Sequence, residues 1–369
     1  GSFIDGGAAD GLRKCLTEDF SHLYVFNLRG NQRTSGEESR REGGKIFGSG
    51  SRTPVAITIM VKDPEHAGLG VLNYHDIGDY LSQQEKLDII ESFSSIEGID
   101  WHRLYPNESG DWINQRDPAF ERFVSIGEKD NPEAQAVFNI YSNGVKTQRD
   151  FWDYNMSKEA LGANMERMVA AFTEDRVRYA QACHGKPKEQ WPDVEQLINA
   201  DPKRISWTRA LKADVGRGKE HVFDANAIVP SMYRPFAKQW LYFSRRFNEM
   251  VYLMPRIFPS PLQSNVMIVV KQNWAGVGFL ALATDCIMDL QTDGGAQCFP
   301  LYWYEKADED VGPQGDIFAA AGAPDADGYV RRDAITDWAL DAFRTHYGDT
   351  AISKEDIFWY VYGILHSPE

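Results

Sequence analysis

The chain has 369 residues, of which 43% are hydrophobic and 25% charged, and its formal net charge is −15. This length predicts about two domains with apolar cores, and no apolar run is long enough for a transmembrane helix. The negative charge argues against non-specific binding of nucleic acid by the surface as a whole.

Residues 1–62 read as a helix, a strand, a polar loop and a second strand. Leu12, Leu16 and Phe20 share a face at helical spacing. The apolar runs at 22–28 and 53–61 predict two buried strands, as in the hairpin that ends an α/β sheet. Two strands are too few for an independently stable sheet, so we expect the chain to begin inside a fold.

The pattern changes after about residue 65. The predicted elements are a strand and turn at 70–81, a helix at 82–93, an aromatic and turn-rich segment at 99–155, a long helix at 157–182 with Ser157 as N-cap, a β-rich part at 228–303, a polar loop at 306–330 and a last helix after the capping box SKED (353–356). We expect domain boundaries near residues 65 and 202.

The start of the chain lacks the basic flank and apolar stretch of a signal peptide. The four cysteines lie far apart in the sequence and form no CxxC pair, which favours free thiols in a reducing cytoplasm. HEXXH, GXSXG and Walker A patterns are absent, and the histidines show no ligand spacing. The sequence therefore predicts no catalytic and no metal-ligating residue.

Two stretches of this acidic chain are basic. Residues 29–52 form a glycine-rich loop with six Lys/Arg against three Glu. Residues 203–246 carry ten Lys/Arg against three acidic residues, a formal charge of +7. One basic region on an acidic body can direct a polyanion to one face. A basic face that only contacts solvent is the alternative.

Within the second stretch, YRPFAKQWLYFSRRFN (233–248) alternates aromatic residues with Arg, Lys and Asn. Arg can bind guanine, and Asn or Gln can bind adenine, through paired hydrogen bonds in the major groove. The predicted DNA contacts are Arg234, Lys238, Arg245, Arg246 and Asn248. A packed aromatic strand with cations that reach solvent is the alternative.

Two other polar segments hold weaker candidates. In SWTRALKADVGRGK (206–219) we expect phosphate contacts rather than base contacts, from Arg209, Lys212 and Arg217. The predicted turn in NGVKTQRDFW (143–152) carries polar residues that either bind DNA or are structural, namely Thr147, Gln148 and Arg149.

The segment IFGSGSRTPVAITIMVK (46–62) resembles the closing hairpin of adenine-N6 DNA methyltransferases of the NPPY class. Longer strings are similar to the C-terminal region of type ISP restriction–modification enzymes, which join nuclease, helicase-like motor, methyltransferase and target-recognition domains in one polypeptide. The strings are FIDGGAADGLRKCL, VFNLRGNQRTSGEESRREGGKIFGSGSRTPVAI, YSNGVKTQRDFWDYN, ISWTRALK, YRPFAKQWLYF, QCFPLYWY and KEDIFWYVYGILHSPE. The resemblance covers nearly the whole chain.

This resemblance implies an internal fragment of such an enzyme. The S-adenosylmethionine loop and the NPPY tetrapeptide, which come earlier in the family, do not occur in the sequence. Residues 1–65 would be the end of the methyltransferase domain, 66–202 the mixed first part of the target-recognition region, and 203–369 its β-rich, then helical part. The expected fold class is α+β, with an incomplete α/β methyltransferase sheet end before a mixed α+β region.

The function implied by the resemblance is sequence-specific recognition of double-stranded DNA. The parent enzyme would methylate adenine N6, restrict DNA with ATP and serve phage defence. It would use S-adenosylmethionine, ATP and Mg²⁺, whereas we expect no cofactor in this chain and no methylation by it alone. The expected partners are DNA and the remaining domains of the same polypeptide, with no membrane.

The resemblance also gives loop 29–52 a role. A base must leave the stack before it is methylated, and Phe47 matches the family's aromatic residue that faces the flipped adenine. The phosphate contacts expected in this loop are Arg29, Arg33, Arg40, Arg41, Lys45 and Arg52. Alternatively, Phe47 is a core residue, and the cations pair with the three glutamates of the loop.

Two other classes of function stay open. The acidic surface could dock on basic domains of its own polypeptide, bind another protein or mimic DNA. The 10 Trp and 16 Tyr would suit a carbohydrate-binding domain, although their alternation with Arg and Lys in 233–248 favours DNA. Salt separates these classes, because binding through phosphates weakens steeply as salt rises.

Overall fold

The computed structural model describes residues 3–367, except residues 35, 49, 118, 120, 121, 132, 272–277, 293 and 308–323. The described residues form two compact units that divide between Phe123 and Val124. Their mixture of helices and several small sheets confirms the predicted α+β class. The predicted boundaries near residues 65 and 202 fall within the first and second unit, and the three-part division stays a prediction.

The first unit is a four-stranded sheet with helices. Its elements are α1 (Asp10–Asp19), β1 (His22–Arg29), α2 (Gly36–Glu42), β2 (Val55–Val61), β3 (Val71–Asp76), α3 (Gln83–Ser92) and β4 (His102–Leu104). The strand order is β2-β1-β3-β4, in which β1 is antiparallel to β2 and parallel to β3. The predicted hairpin of β1 and β2 is therefore confirmed.

Alternating residues of β1 face the two sides of this sheet. Leu23 and Val25 lie in the cluster that includes Leu16 of α1. Phe26 and Leu28 lie in a second cluster, which includes Ile89 and Ile90 of α3. The central strand is thus covered on both faces, as predicted for a buried strand.

Strand β2 was also predicted to be buried, and this prediction is wrong. The strand forms the edge of the sheet, and Ile57, Ile59 and Met60 are exposed. An edge strand has a neighbour on one side only, so half of its backbone groups and much of its side-chain surface stay uncovered. Apolar composition alone did not show that this neighbour was missing.

The buried face of α1 also differs from the predicted apolar face. Leu12 is 52% exposed, whereas Arg13 is fully buried. The guanidinium of Arg13 donates to three main-chain carbonyl oxygens and to the carboxylate of Asp111, at 2.7–2.9 Å. These partners offset the cost of burying a charge. Arg13, rather than the neighbouring Leu12, therefore faces the interior of the unit.

The second unit combines short sheets with helices. Its helices are α4 (Asp150–Asp153), α5 (Lys158–Cys183), α6 (Val194–Leu197), α7 (Arg209–Gly216), α8 (Met254–Ile257), α9 (Asp337–Tyr347) and α10 (Lys354–Ile364). Its strands are β5 (Ser125–Gly127), β6 (Ala136–Phe138), β7 (Ser142–Asn143), β8 (Tyr154–Asn155), β9 (Ile228–Arg234), β10 (Ala237–Tyr242), β11 (Met267–Lys271), β12 (Ala281–Thr284), β13 (Ile287–Met288), β14 (Ala296–Pro300), β15 (Tyr302–Lys306) and β16 (Tyr329–Asp333).

The strands of the second unit form two four-stranded sheets, of order β13-β9-β10-β8 and β12-β11-β14-β7, and the pairs β15-β16 and β5-β6. The predicted β-rich part is therefore confirmed. Most of the predicted polar loop at 306–330 lies outside the described residues. None of the helices in the described ranges is long and apolar enough to cross a membrane.

The predicted helix ends of this unit are confirmed. Ser157 caps α5 by accepting a hydrogen bond from the backbone of Ala160, and Ser353 forms a reciprocal capping box with Asp356 before α10. The buried face of α5 packs in one cluster with α7, β10 and Phe247. Segment 244–248, which follows β10, is thereby fixed beside these elements.

Candidate nucleic-acid interface

Lys86, on helix α3, holds the backbone of loop 29–52. The ammonium group of Lys86 is fully buried and donates to the carbonyl oxygens of Leu28, Glu42 and Gly44 at 2.7–2.9 Å. Burial lowers the pKa of this group. Lys86 was not predicted as a structural residue, although its position on the same helical face as Ile90 was a visible signal in the sequence.

Two glycines of this loop are required by packing. A Cβ atom at Gly43 would lie 2.2 Å from the carbonyl oxygen of Leu81, and one at Gly44 would lie 2.4 Å from the backbone nitrogen of Gln83. Gly43 also has a φ of +66°, which favours glycine. These glycines let the loop approach the start of α3, and no DNA is needed to explain them.

Phe47 lies on the surface of this loop. Its side chain is 59% exposed, so it is not the core aromatic that the alternative proposed. The side-chain amide of Gln83 donates to the carbonyl oxygen of Ile46 at 2.6 Å and holds the preceding residue. An exposed ring on a held backbone can stack on a base.

The cations of loop 29–52 fall into two groups. Arg29 is half-buried and pairs with Asp76 and Asp79, and Arg40 pairs with Glu37. The Tyr80 side chain raises the pKa of Arg41, and Arg52 donates to the carbonyl oxygen of Gln32. Among the described residues, the side chains of Arg33 and Lys45 have no ion-pair partner. Pairing with a loop glutamate is thus confirmed for Arg40, and Arg29 has the contacts of a structural residue.

The turn that precedes α4 mixes buried and exposed polar residues. Thr147 is buried and its hydroxyl donates to Asp150. Arg149 is buried as well, and its guanidinium makes no hydrogen bond to a described protein group. Burial lowers the pKa of Arg149. Only Gln148, at a φ of +57°, is exposed among the three predicted contacts, so Thr147 and Arg149 are not presented for direct contact.

Asn248 has a structural position that contradicts its predicted role as a base contact. Its amide nitrogen donates to Asp153 at 2.8 Å and to the carbonyl oxygen of Tyr242 at 3.0 Å. Its amide oxygen accepts from the backbone of Ser244 at 2.9 Å. Because these bonds use the groups that would read adenine and the side chain is buried, Asn248 supports the turn instead.

Arg234 is half-exposed and held by neighbours. Its guanidinium donates to Asp150 at 3.3 Å and to Asp289, and it lies 4.1 Å from the ring centroid of Tyr233. Asp289 is buried. Lys238 on the next strand is exposed and pairs with Asp285 at 2.9 Å. The orientation of Arg234 is thereby set before any ligand binds.

The remaining predicted cations are exposed or partly exposed. Lys212 pairs with Glu195 at 2.7 Å. The side chains that have no ion-pair partner within the described part of the chain are those of Arg209, Arg217, Arg245 and Arg246. These four arginines are free to contact phosphate or bases.

Two exposed phenylalanines were missed by the sequence analysis. Phe236, in the turn between β9 and β10, is 82% exposed with a φ of +65°. Phe151, on α4, is 90% exposed. Both lie in segments that were singled out for their polar residues, and no sequence signal separated these rings from core aromatics.

Hydrogen bonds join three segments of the second unit into one surface, which we call the three-segment surface (residues 146–153, 233–238 and 244–250). The Tyr233 hydroxyl donates to Asp150 at 3.2 Å. Lys146 and Met250 exchange two backbone hydrogen bonds, of 2.8 and 2.9 Å. The three-segment surface therefore brings together five of the predicted side chains that are exposed or half-exposed, namely Gln148, Arg234, Lys238, Arg245 and Arg246.

In the described ranges, no group of three or more His, Cys, Asp or Glu side chains could hold a metal ion. Cys183, Cys286 and Cys298 are buried thiols, and Cys15 is exposed. Burial raises the pKa of Cys286. The described residues of the three-segment surface thus offer polar and aromatic contacts to a partner.

Comparison with known proteins places this arrangement in a family. No curated protein matches the chain. Residues 136–369 match the family described as the Type ISP C-terminal specificity domain. This range contains the whole three-segment surface.

Solved structures match over the entire chain. A nuclease-deletion mutant of the Type ISP restriction–modification enzyme LlaGI, in complex with a DNA substrate mimic, is 35% identical with a TM-score of 0.72. The DrdV–DNA complex is 33% identical with a TM-score of 0.77, and the ATP-dependent Type ISP enzyme LlaBIII bound to DNA is 32% identical with a TM-score of 0.76.

Each of these matches covers 100% of this chain but only 26%, 33% and 22% of the respective relative. The chain therefore corresponds to a part of much longer polypeptides. From the family match and these similarities, the chain belongs to the Type ISP C-terminal specificity domain family.

Proposed function

We propose that this chain recognises a specific sequence in double-stranded DNA as part of a larger restriction–modification polypeptide. The observation that carries the proposal is the three-segment surface, which includes exposed Gln148, Arg245 and Arg246 and a supported Arg234. Side chains of these types read base edges in the major groove or bind phosphate. The DNA complexes of the three relatives support this proposal.

The charge distribution supports the same function. The chain is acidic overall, whereas residues 203–246 are basic. DNA would therefore be attracted to one region and repelled by much of the remaining surface. Such an arrangement favours binding of the duplex in one orientation over non-specific binding of DNA across the whole surface.

We further propose that the first unit is the end of an adenine-N6 methyltransferase sheet. Exposed apolar residues on the edge strand β2 support this, because a further strand would cover them. Exposed Phe47, on a loop held by Lys86, is suited to stack on an extruded adenine. In this proposal Arg33, Arg41, Lys45 and Arg52 bind phosphate nearby.

The cofactors of the parent enzyme would bind elsewhere in its polypeptide. Neither an NPPY tetrapeptide nor the expected S-adenosylmethionine loop occurs in this sequence, and the described residues provide no metal site. S-adenosylmethionine, ATP and Mg²⁺ are therefore assigned to other domains, and this chain alone is expected not to methylate DNA. We place the parent in the cytoplasm, where its DNA is found.

A second candidate function is docking on those other domains. The last two helices expose Tyr347, Trp359, Tyr360 and Ile364. Exposed aromatic and aliphatic groups of this kind often mark protein interfaces. This function is compatible with DNA recognition by the three-segment surface.

The test is binding of the chain to random-sequence duplex DNA over a range of salt concentrations. In R245A/R246A, the slope of log affinity against log salt should fall by about 2, because each phosphate contact contributes about 0.9. The matched control is K186A/K188A, which removes two exposed cations outside the basic stretch. Binding without salt dependence, or equal slopes for the two double variants, would overturn the proposal.

A further inference from the structure

The turn between β9 and β10 has an unusual residue at its tip. Arg234 pairs with Ala237, so Pro235 and Phe236 form a two-residue connection. Proline at the second position and a positive φ at the third are typical of a type II turn, whose third position normally holds glycine or asparagine. Here that position holds Phe236, at a φ of +65°.

Phe236 is unfavourable for folding in two respects. A phenylalanine with positive φ strains the backbone, and its ring is 82% exposed, so burial in the unit offsets little of this cost. Strained residues that persist are concentrated at functional sites. The ring is therefore available to an external partner.

The strands behind the tip hold this turn firmly. Met232 pairs with Lys238 while Arg234 pairs with Ala237, which leaves Tyr233 as the extra residue of a β-bulge. Tyr233 and Arg234 both bond to Asp150, and Arg234 also pairs with buried Asp289. Because these contacts hold the turn, the Phe236 ring can insert into a partner without the turn changing its conformation.

We propose that Phe236 is an apolar wedge that inserts at a base step of the bound DNA duplex and partly unstacks it. The inference rests on the proposed DNA recognition. The turn belongs to the three-segment surface, whose exposed Arg245 and Arg246 have no ion-pair partner among the described residues and can attract the phosphates of the duplex. Proteins that bend DNA use phenylalanine and other apolar residues in this way.

A protein partner fits these surroundings less well. An exposed ring on the same surface as Arg245 and Arg246, which have no ion-pair partner in the described part of the chain, suits the base faces and phosphates of a duplex. The wedge is therefore assigned to DNA rather than to another domain.

The experiment compares the whole chain with F236G, F236W and F279A. Glycine accepts the positive φ, so F236G should keep or raise the melting temperature while it removes the ring. Phe279 is the matched control, since it is a 65% exposed phenylalanine of the same unit outside the hairpin. The probes are duplexes selected by the wild-type chain from a random pool, with 2-aminopurine placed at successive steps to report unstacking.

The wedge predicts that wild type increases 2-aminopurine fluorescence at one step and that F236W retains this signal. In F236G the signal should be lost and the affinity should fall by between about fivefold and a hundredfold, the range for one base–aromatic contact. F279A should behave as wild type. If F236G binds with unchanged affinity and the same signal, the wedge is refuted while DNA recognition stands. If wild type itself binds no duplex, both proposals fail.

Discussion

Loop 29–52 and the three-segment surface use their polar residues differently. In the loop, one buried lysine from another element supports the backbone, and the predicted contact Phe47 stays outside. In the three-segment surface, some of the residues predicted to contact DNA instead stabilise the protein itself. Asn248 and Thr147 are examples, since their side chains bond to buried or half-buried aspartates. Residue types that suit DNA recognition thus also suit the structure beneath it, and only burial separates the two roles.

The largest expected effect tests Asn248 as a support. N248A removes hydrogen bonds inside the second unit and leaves the carboxyl group of Asp153 and the carbonyl oxygen of Tyr242 without this donor. We expect the free energy of unfolding to fall by about 3 kcal/mol, measured by denaturant unfolding of that unit. R246A, two residues away and exposed, should change it by less than about 0.5 kcal/mol. If N248A were as stable as wild type and its base preference changed, Asn248 would be a base contact rather than a structural residue.

The next effect tests the anchor of loop 29–52. K86M would leave the carbonyl groups of Leu28, Glu42 and Gly44 without their shared donor. We expect a loss of about 2–4 kcal/mol in the first unit and faster amide hydrogen exchange throughout the loop. K45M is the control in the same loop, because the Lys45 side chain donates to no carbonyl group of the described residues. Equal exchange in the two variants would show that the loop is held by other contacts.

Two buried aspartates should respond to pH with opposite signs. The hydrogen bond from Arg116 lowers the pKa of Asp111 in the first unit, whereas burial raises the pKa of Asp153 in the second. Asp111 thus contributes stability above the unfolded pKa of about 3.9 and loses it as pH falls through its lower folded pKa. Asp153 contributes most below about 3.9 and loses this as pH rises through its folded pKa.

This contrast can be measured with D111N and D153N by unfolding each unit at neutral and acidic pH. The deficit of D111N relative to wild type should shrink in acid, and the deficit of D153N should grow there. Deficits that change in the same direction would contradict the assigned causes of the two pKa shifts.

The smallest effect concerns the exposed cations of the loop. Arg40 pairs with Glu37, and both side chains are largely exposed. R40A should change the free energy of unfolding by less than about 0.5 kcal/mol and weaken DNA binding no more than R33A does. A stronger loss of stability in R40A would mean that the pair holds α2 in place.

Local patterns predicted much of the fold. The β1–β2 hairpin and the caps at Ser157 and Ser353 depend on neighbouring residues, so the sequence contains the required information. Burial of β2 depends on a partner strand, and burial of Arg13 depends on acceptors nearly 100 residues away. Such long-range contacts have no periodic signal.

The candidate site was predictable as segments and less so as side chains. Hydrogen bonds do join the segments that contain Gln148, Arg234 and Arg245. The inward direction of Arg149 and Asn248, and the support of Arg234 by Asp289, follow from tertiary contacts that residue type does not encode.

The central claim is that the three-segment surface reads DNA sequence, and selection from a random duplex pool tests it most directly. The chain is incubated with the pool, and the retained fraction is sequenced for wild type, Q148A, R245A/R246A and the control K186A/K188A. The account predicts one short asymmetric site for wild type and the control, with relaxed preference at one position for Q148A, worth about 1–3 kcal/mol. Retention without enrichment of any site, or an unchanged site in Q148A together with R245A/R246A, would contradict it.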